Sequence, residues 1–292
     1  MSFIKDIIKN DNNILLYKYE GNDLQEYHTD SIENISANSD KIRICFVDTE
    51  TTGLNKKNDH IIEIALKCIE INKNTGNDMK VIDGYEALQD PGVPIPKEAT
   101  KINGIKDEDV KGKSIDWTVV EDIFKISQLI VSHNAGFDRP FVNNKIEISK
   151  KKIWACSLKD IDWMERGFKN KSQEILCIWH GFYYASHRAM MDVDALIHLI
   201  THTINKDNKP IVELIGNARK PWLKVYAYNS KIETKDILRE NQYRWNPDKK
   251  VWHKTIIHDN MEEERMWLTK NIYGENFTGQ FVEITPMDKY KE

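Results

Sequence analysis

The sequence predicts an α/β chain, a mixed β-sheet flanked by helices, followed by a small α+β unit. Three strand-like runs stand in series, and after them strands alternate with helices, the pattern of a mixed sheet covered by helices. The polar NKDNKP, ending at Pro210, then punctuates the chain before a second run of strand and helix patterns.

Residues 1–40 read as an N-terminal extension: a short helix (SFIKDIIKN), a strand (NILLYKYE) and a polar tail (TDSIENISANSD), with no function attached. IRICFVD is an apolar run rich in β-branched residues, expected of a strand buried on both faces. HIIEIALKCIEI and DMKVIDGYEAL, separated by the turn-forming KNTGN, read as a hairpin of two further strands. PKEATKI and DWTVVEDIFKIS look helical, LIVSHN is another buried strand, and GFDRPFVNNKI begins the helix after it. KIWACS is the candidate fifth strand. SLKDIDWMERG, KSQEILCIWHG and MMDVDALIHLITHTI carry apolar residues at helical spacing. These elements make a domain over 41–205. Residues 206–215 read as a linker and 216–292 as a compact βαββαβ-like domain, with NPDK as a hairpin turn because Pro fixes φ and Asn and Asp bond locally.

Composition bounds the function. Of 292 residues, 40% are hydrophobic and 30% charged, a soluble globular balance. No stretch approaches the roughly 20 apolar residues of a membrane-spanning helix. Charges interrupt what would be a signal peptide's apolar region, so the expected address is the cytoplasm. Cys45, Cys68, Cys156 and Cys177 are widely spaced with no CxxC pair, which predicts free thiols rather than disulfides or structural zinc. A net charge of −4 argues against a passive nucleic-acid coating protein. It does not argue against a nuclease, because a site of clustered carboxylates is acidic until cations reverse its field.

Asp48 and Glu50 end the first buried strand, in FVDTETTGL. Positions i and i+2 of a strand share a face, so the two carboxylates project together. Such a pair repels itself unless a hard cation sits between, and oxygen ligands suit Mg²⁺ or Mn²⁺ rather than zinc. On its own, DxE more often marks a solvated strand end. Asp138 follows the strand LIVSHN in the first turn of a helix, where capping competes with a metal role. His133 and Asn134 lie at that strand's end, where open sheets place their crevices. His187 precedes the helix that carries Asp192 and Asp194. These two aspartates face different sides of the helix, so only one can join a given site, and Asp194 has the spacing of a solvated residue. His198 and His202, four apart, read as a helix face for want of a third ligand.

Taken in order, DTETTGL, HNAGFD and HRAMMDVDAL resemble the three exonuclease motifs of the DnaQ-like DEDDh family of 3′→5′ exonucleases. The resemblance covers about residues 41–205 and is closest to the proofreading epsilon-subunit type. It implies a ribonuclease H-like fold with a mixed five-stranded sheet. It implies two Mg²⁺ (or Mn²⁺), with Asp48 bridging both, Glu50 and Asp192 completing the first site, and Asp138 supporting the second through water. His187 is then the general base, a role suited to a pKa near neutrality. Thr51, Thr52, Leu54, His133, Asn134 and Phe137 are the implied substrate contacts, although Phe137 reads equally as core. The implied partners are single-stranded or frayed 3′ ends of DNA or RNA, and a DNA polymerase. The chain departs from many relatives in carrying Asn103-Gly104-Ile105 where they have His-Gly-Ile. Three other readings stay open: an exoribonuclease for RNA maturation, a non-catalytic nucleic-acid or polymerase-binding subunit, and a Mg²⁺ phosphatase for small phosphoesters.

The C-terminal unit resembles the short GYRW…W modules appended to some bacterial exonucleases, here Tyr243-Arg244-Trp245 and Trp252. Aromatics interleaved with Arg244, Lys249, Lys250 and Lys254 could stack on bases and meet phosphates. The tryptophans could equally be the unit's core, and core is expected for one of them.

Overall fold

The structure, a computed structural model, describes residues 9–10, 13–28, 39–201, 209–274 and 276–291. The chain forms two compact units, Met1–Ala218 with Tyr290–Glu292, and Arg219–Lys289.

In the first unit, short strands β1 (Lys9–Asn10), β2 (Asn13–Ile14) and β3 (Tyr17–Lys18) precede the main sheet. The expected helix over SFIKDIIKN lies almost wholly outside the described residues, as does most of the polar tail before Lys41. The sheet is built from β4 (Lys41–Thr51), β5 (Ile61–Asn72), β6 (Lys80–Leu88), β7 (Leu129–Ser132) and β8 (Trp154–Cys156), in the order β6-β5-β4-β7-β8. The β4–β5 and β5–β6 pairs are antiparallel, while β4–β7 and β7–β8 are parallel. Residues 42–47 of β4 are buried without a break, because this strand is covered on both faces.

Helices α1 (Lys97–Asn103), α3 (Trp117–Ile126), α4 (Ala135–Asn143) and α6 (Gln173–Trp179) follow the order read from the pattern, and the short α2 (Asp107–Val110) and α5 (Glu147–Lys150) add to it. A two-residue strand β9 (Phe182–Tyr183) pairs in parallel with β3, so the N-terminal segment is stitched to the stretch that leads into HRAMMD. Helix α7 (Ala189–Thr201) packs on β4 and β5, and its residues Val193 and Ala195–Ile197 are buried in the main core with Phe46 and Tyr19.

Three expectations need correction. SLKDIDWMERG is not a helix but a string of turns. Asp160 accepts the Cys156 N–H at 2.8 Å and Asp162 accepts those of Met164 and Glu165 at 3.1 Å. Side-chain acceptors of this kind compete with helical bonding. The stretch 206–215 is not all linker, because α8 (Pro210–Ala218) begins within it and buries Ile211, Leu214 and Ile215 in the first unit's core. The boundary set at residue 41 does not divide the core, since Tyr19 and Leu24 of the N-terminal extension belong to that same core.

The second unit runs β10 (Trp222–Tyr226), α9 (Lys235–Glu240), β11 (Arg244–Asn246), β12 (Val251–Ile257), α10 (Met261–Leu268) and β13 (Gln280–Ile284). Its sheet order is β11-β12-β10-β13, antiparallel throughout, which is the βαββαβ arrangement expected. All four cysteines are buried and free. Among the described residues no helix is long and apolar enough to cross a membrane.

Candidate active site

Strands β4 and β7 run parallel, and their carboxyl ends open a crevice of the kind that binds ligands in such sheets. A cavity of about 420 Å³ lies there. Asp48, Glu50, Asp138, Asp192 and His187 all line it, with His133, Asn134, Phe137 and Leu54. No Lys or Arg is among its lining residues.

Asp48 and Glu50 share one face of β4, and Asp192 reaches them from α7. One carboxylate oxygen from each of the three lies within 4.8 Å of the others. Asp138 lies beside this trio without joining it. Its Oδ1 accepts the backbone N–H of Thr49 at 3.1 Å and the Thr49 hydroxyl at 2.8 Å. That tie bonds α4 to β4.

Burial, and after it the crowding of like charges, raises the pKa values of carboxylic acids. Burial, helped by the charges of Asp138, Asp192 and Glu50, holds Asp48 well above the usual carboxylate range. Burial and then Asp192 push Glu50 up to about 7. Burial likewise pushes Asp138 up to about 7, against the hydrogen bonds of Thr49, and raises Asp192. Four acids with no cation among them are an unfinished electrostatic arrangement. A hard divalent cation fits it, because the donors are all carboxylate oxygens.

His187 stands at the cavity wall with φ 67°, a left-handed conformation that is unusual outside glycine. Its backbone N–H donates to Asp192 Oδ2 at 2.8 Å, and Tyr184 Oη donates to Oδ1 at 2.7 Å. Gln173 Nε2 donates in turn to Tyr184 Oη at 3.0 Å and to the Asp192 carbonyl at 2.8 Å. The next residue, Arg188, is gripped by the fully buried Glu63 of β5, which also accepts the Ala189 N–H at 3.0 Å. Glu63 lies opposite Glu50 in the β4–β5 register.

The remaining expectations divide. His133 lines the cavity, accepts or donates at 2.8 Å with Ser157 Oγ through Nδ1, and is pushed down to about 4 by burial. Leu54 is 87% exposed at the rim. Thr51 and Thr52 do not line the cavity. The Thr51 hydroxyl bonds the Gly53 carbonyl, and the Thr52 hydroxyl takes part in bonds with Asp59 and His60, so both hold the loop's shape. Asp194 is not solvated: it is buried and paired with Lys67 at 2.5 Å. His202 lies outside the described residues. His198 meets Tyr17 Oη at 2.5 Å and Asp23 at 3.2 Å, and it stacks on Tyr19.

Sequence reasoning missed Thr49, Tyr184, Gln173 and the Glu63–Arg188 pair. Of these only Glu63 left a signal, as an acid inside the apolar run IIEIAL. Asn103 hydrogen-bonds the Glu50 carboxylate, and its own Oδ1 accepts the Ile105 N–H at 3.0 Å. The departure at this position therefore bears on a metal-ligand candidate.

Residues 45–200 match the RNase_T family, described as exonuclease. The chain is 31% identical over 177 residues to a PolC-type DNA polymerase III of Listeria innocua, covering 58% of this chain but only 12% of that one. It is 27% identical over 202 residues to the DNA polymerase III epsilon subunit of Treponema pallidum, covering 66% of this chain and 91% of that one. Among solved structures, an E. coli ExoI–ssDNA complex in zinc-bound form shares the fold, with a TM-score of 0.50 at 17% identity over 74% of this chain and 63% of that one.

Proposed function

Because the chain belongs to the RNase_T exonuclease family, whose members depend on divalent metals, we propose that it is a 3′→5′ exonuclease that releases nucleoside 5′-monophosphates. The observation that carries this reading is the trio Asp48, Glu50 and Asp192, with His187 tethered to the third of them. Two Mg²⁺ or Mn²⁺ held there would stabilise the attacking and leaving oxygens of an in-line displacement. Asp48 would serve both ions, Glu50 and Asp192 would complete the site of one, and Asp138 would support the other. His187 takes the proton of the attacking water. Its backbone anchor on Asp192 ties the position of the base to that of a metal ligand. Leu54, exposed at the rim, meets the terminal base, and Phe137 flanks the same pocket.

DNA is the favoured substrate, since the relatives named above are DNA polymerase III proteins, and a replicative polymerase is the corresponding partner. The deciding experiment is digestion of end-labelled oligonucleotides, DNA and RNA side by side, with Mg²⁺, with Mn²⁺ and with EDTA. Stepwise shortening from the 3′ end that stops in EDTA is the expected result. Internal cleavage, or the same rate in EDTA, would discard the proposal. Faster loss of RNA would move the assignment to the exoribonuclease reading.

A further inference from the structure

The first unit has a second concavity, of about 600 Å³, whose character is opposite to the active site's. Lys56, Lys57, Asn143, Asn144 and Lys150 line it, and no carboxylate does. In a chain of net charge −4 this is a local reversal of sign. Scattered surface lysines are usually a solvated face, so the case rests on how the concavity is built and where it lies.

Two elements run from the active-site cavity into it. Helix α4 carries Asp138 near its start and Asn143 at its end, five residues or about 7.5 Å further along the axis. The loop after β4 puts Leu54 on the active-site rim and Lys56 and Lys57 in the concavity. The loop is fastened where it matters. Asn144 Nδ2 donates to the Lys56 carbonyl at 3.0 Å, and Asp59 accepts the Asn55 N–H at 2.8 Å. Lys150 shares its charge with Glu147 at 2.6 Å, whereas Lys56 and Lys57 hold no ion pair among the described residues. Ammonium groups on flexible stems suit phosphates met in any sequence, since they contribute charge without reading bases.

We propose that this lysine-lined groove continues the active site and holds the substrate strand's phosphates about two nucleotides and more back from the 3′ end, at about 3.4 Å of rise per nucleotide. The proposal rests on the exonuclease reading. It assigns the phosphodiester backbone, not the bases, as the ligand of Lys56 and Lys57. A dinucleotide is too short to reach the groove, and a long strand fills it.

The test uses the intact chain and its K56E/K57E variant on a thymidine dinucleotide and on an oligothymidylate of about 16 nucleotides. For the long strand, KM should rise about tenfold in the variant. The slope of log KM against log salt should fall by about 1.4, at about 0.7 per phosphate contact on a single strand. For the dinucleotide, KM should move less than about twofold. The neutral K56Q/K57Q should shift the same quantities in the same direction by less. An unchanged KM and salt slope on the long strand would overturn the groove. Fluorescence anisotropy of the same strand in Ca²⁺ keeps the two readings separable. If the intact chain degrades nothing, the exonuclease reading fails, and equal anisotropy affinities for the intact chain and variant would then refute the groove on their own. An RNA strand of the same length separates a backbone contact, expected to be equal for both, from a preference for one sugar.

Discussion

The buried carboxylate of Glu63 grips the guanidinium of Arg188 at 2.8 Å, joining the start of β5 to the residue after the proposed base. Glu63 also accepts the Ala189 N–H, so it holds the first turn of α7 as well as the side chain before it. Between these anchors and Asp192, His187 is left with little freedom. Glu63→Gln keeps the shape and removes the charge. The expected result is a folded protein whose kcat is lower by about 10–100-fold, the usual cost of losing a partner behind a metal or catalytic ligand, with KM changed far less. A kcat within twofold of the parent would show that the pair serves stability alone.

The acids of the cavity give metal-free stability a pH dependence of definite sign. Glu50 and Asp138 are pushed from ordinary values of 4.5 and 3.8 up to about 7, and Asp48 higher than the usual range as well. The folded chain therefore binds more protons than the unfolded chain between about pH 4 and 7, and its stability falls as pH rises through that window. Thermal melts in EDTA should show a lower Tm at pH 7.5 than at pH 5, and saturating Mn²⁺ should erase much of the difference. Asp48→Asn should flatten the EDTA profile and abolish nuclease activity together. A flat profile in the parent would mean that the carboxylates are better solvated than their burial implies.

His187 gives a backbone N–H to Asp192 as well as carrying the proposed base, and the two roles can be separated. His187→Ala keeps the N–H, so Mn²⁺ affinity by calorimetry should hardly move while hydrolysis slows by about 10²–10⁴-fold. Raising the pH should restore part of the rate, because hydroxide then needs no protein base. His187→Gly should be equally inactive and at least as stable as the alanine variant, since φ 67° is free of strain only for glycine. Loss of metal affinity in the alanine variant would instead mark the imidazole as a ligand.

Asp192 and Asp194 look alike in MMDVDAL, and the structure separates them. Asp194 forms a buried pair with Lys67, over which the N-terminal segment closes: the Leu24 carbonyl accepts from Lys67 at 3.3 Å, and a Cβ on Gly21 would stand 2.5 Å from Asp194. Removing one partner strands a buried charge, so Asp194→Ala should lose about 3–5 kcal/mol in denaturant unfolding. The activity of the fraction still folded should be near that of the parent. Loss of activity without loss of stability would return Asp194 to the list of metal ligands.

That contrast shows what a single sequence carries and what it leaves out. The sheet's five strands were legible because each is an apolar run between clear turns, the Asp48–Glu50 pair because i and i+2 on a strand must share a face, and Asp138 and Asp192 only through the resemblance of their motifs. Long-range partners were not legible. Nothing in YYASHRAMMD says that Tyr184 turns its hydroxyl to Asp192, or that Arg188 finds an acid 125 residues earlier. SLKDIDWMERG was misread for a related reason. Its apolar spacing is helical, but its aspartates bond neighbouring N–H groups and Trp163 is drawn into the core, where its Nε1 donates to the Ser157 carbonyl at 2.7 Å.

The C-terminal tryptophans offer the last test. Trp252 packs against the second unit's core and lies under Arg239 at 5.9 Å, while Trp245 meets it edge-on and stays 49% exposed on the edge strand β11. Trp252 is thus partly buried against the core and Trp245 about half exposed. A truncation is a poor probe of this unit. A cut near Asn208 would remove α8 from the first unit's core, and any cut also loses Tyr290, whose hydroxyl donates to Asp160 at 2.8 Å within that unit. Point substitution avoids both losses. Trp245→Ala should leave the melting temperature nearly unchanged and weaken binding of a long single strand by about 1–3 kcal/mol, the range for one stacked base. Trp252→Ala should instead lower the melting temperature, because it leaves a gap against the second unit's core. If Trp245→Ala binds long strands as tightly as the parent, with the same salt dependence, the unit has no part in holding nucleic acid. An exposed tryptophan beside Arg244 on an edge strand would then be better explained as a docking surface for another protein.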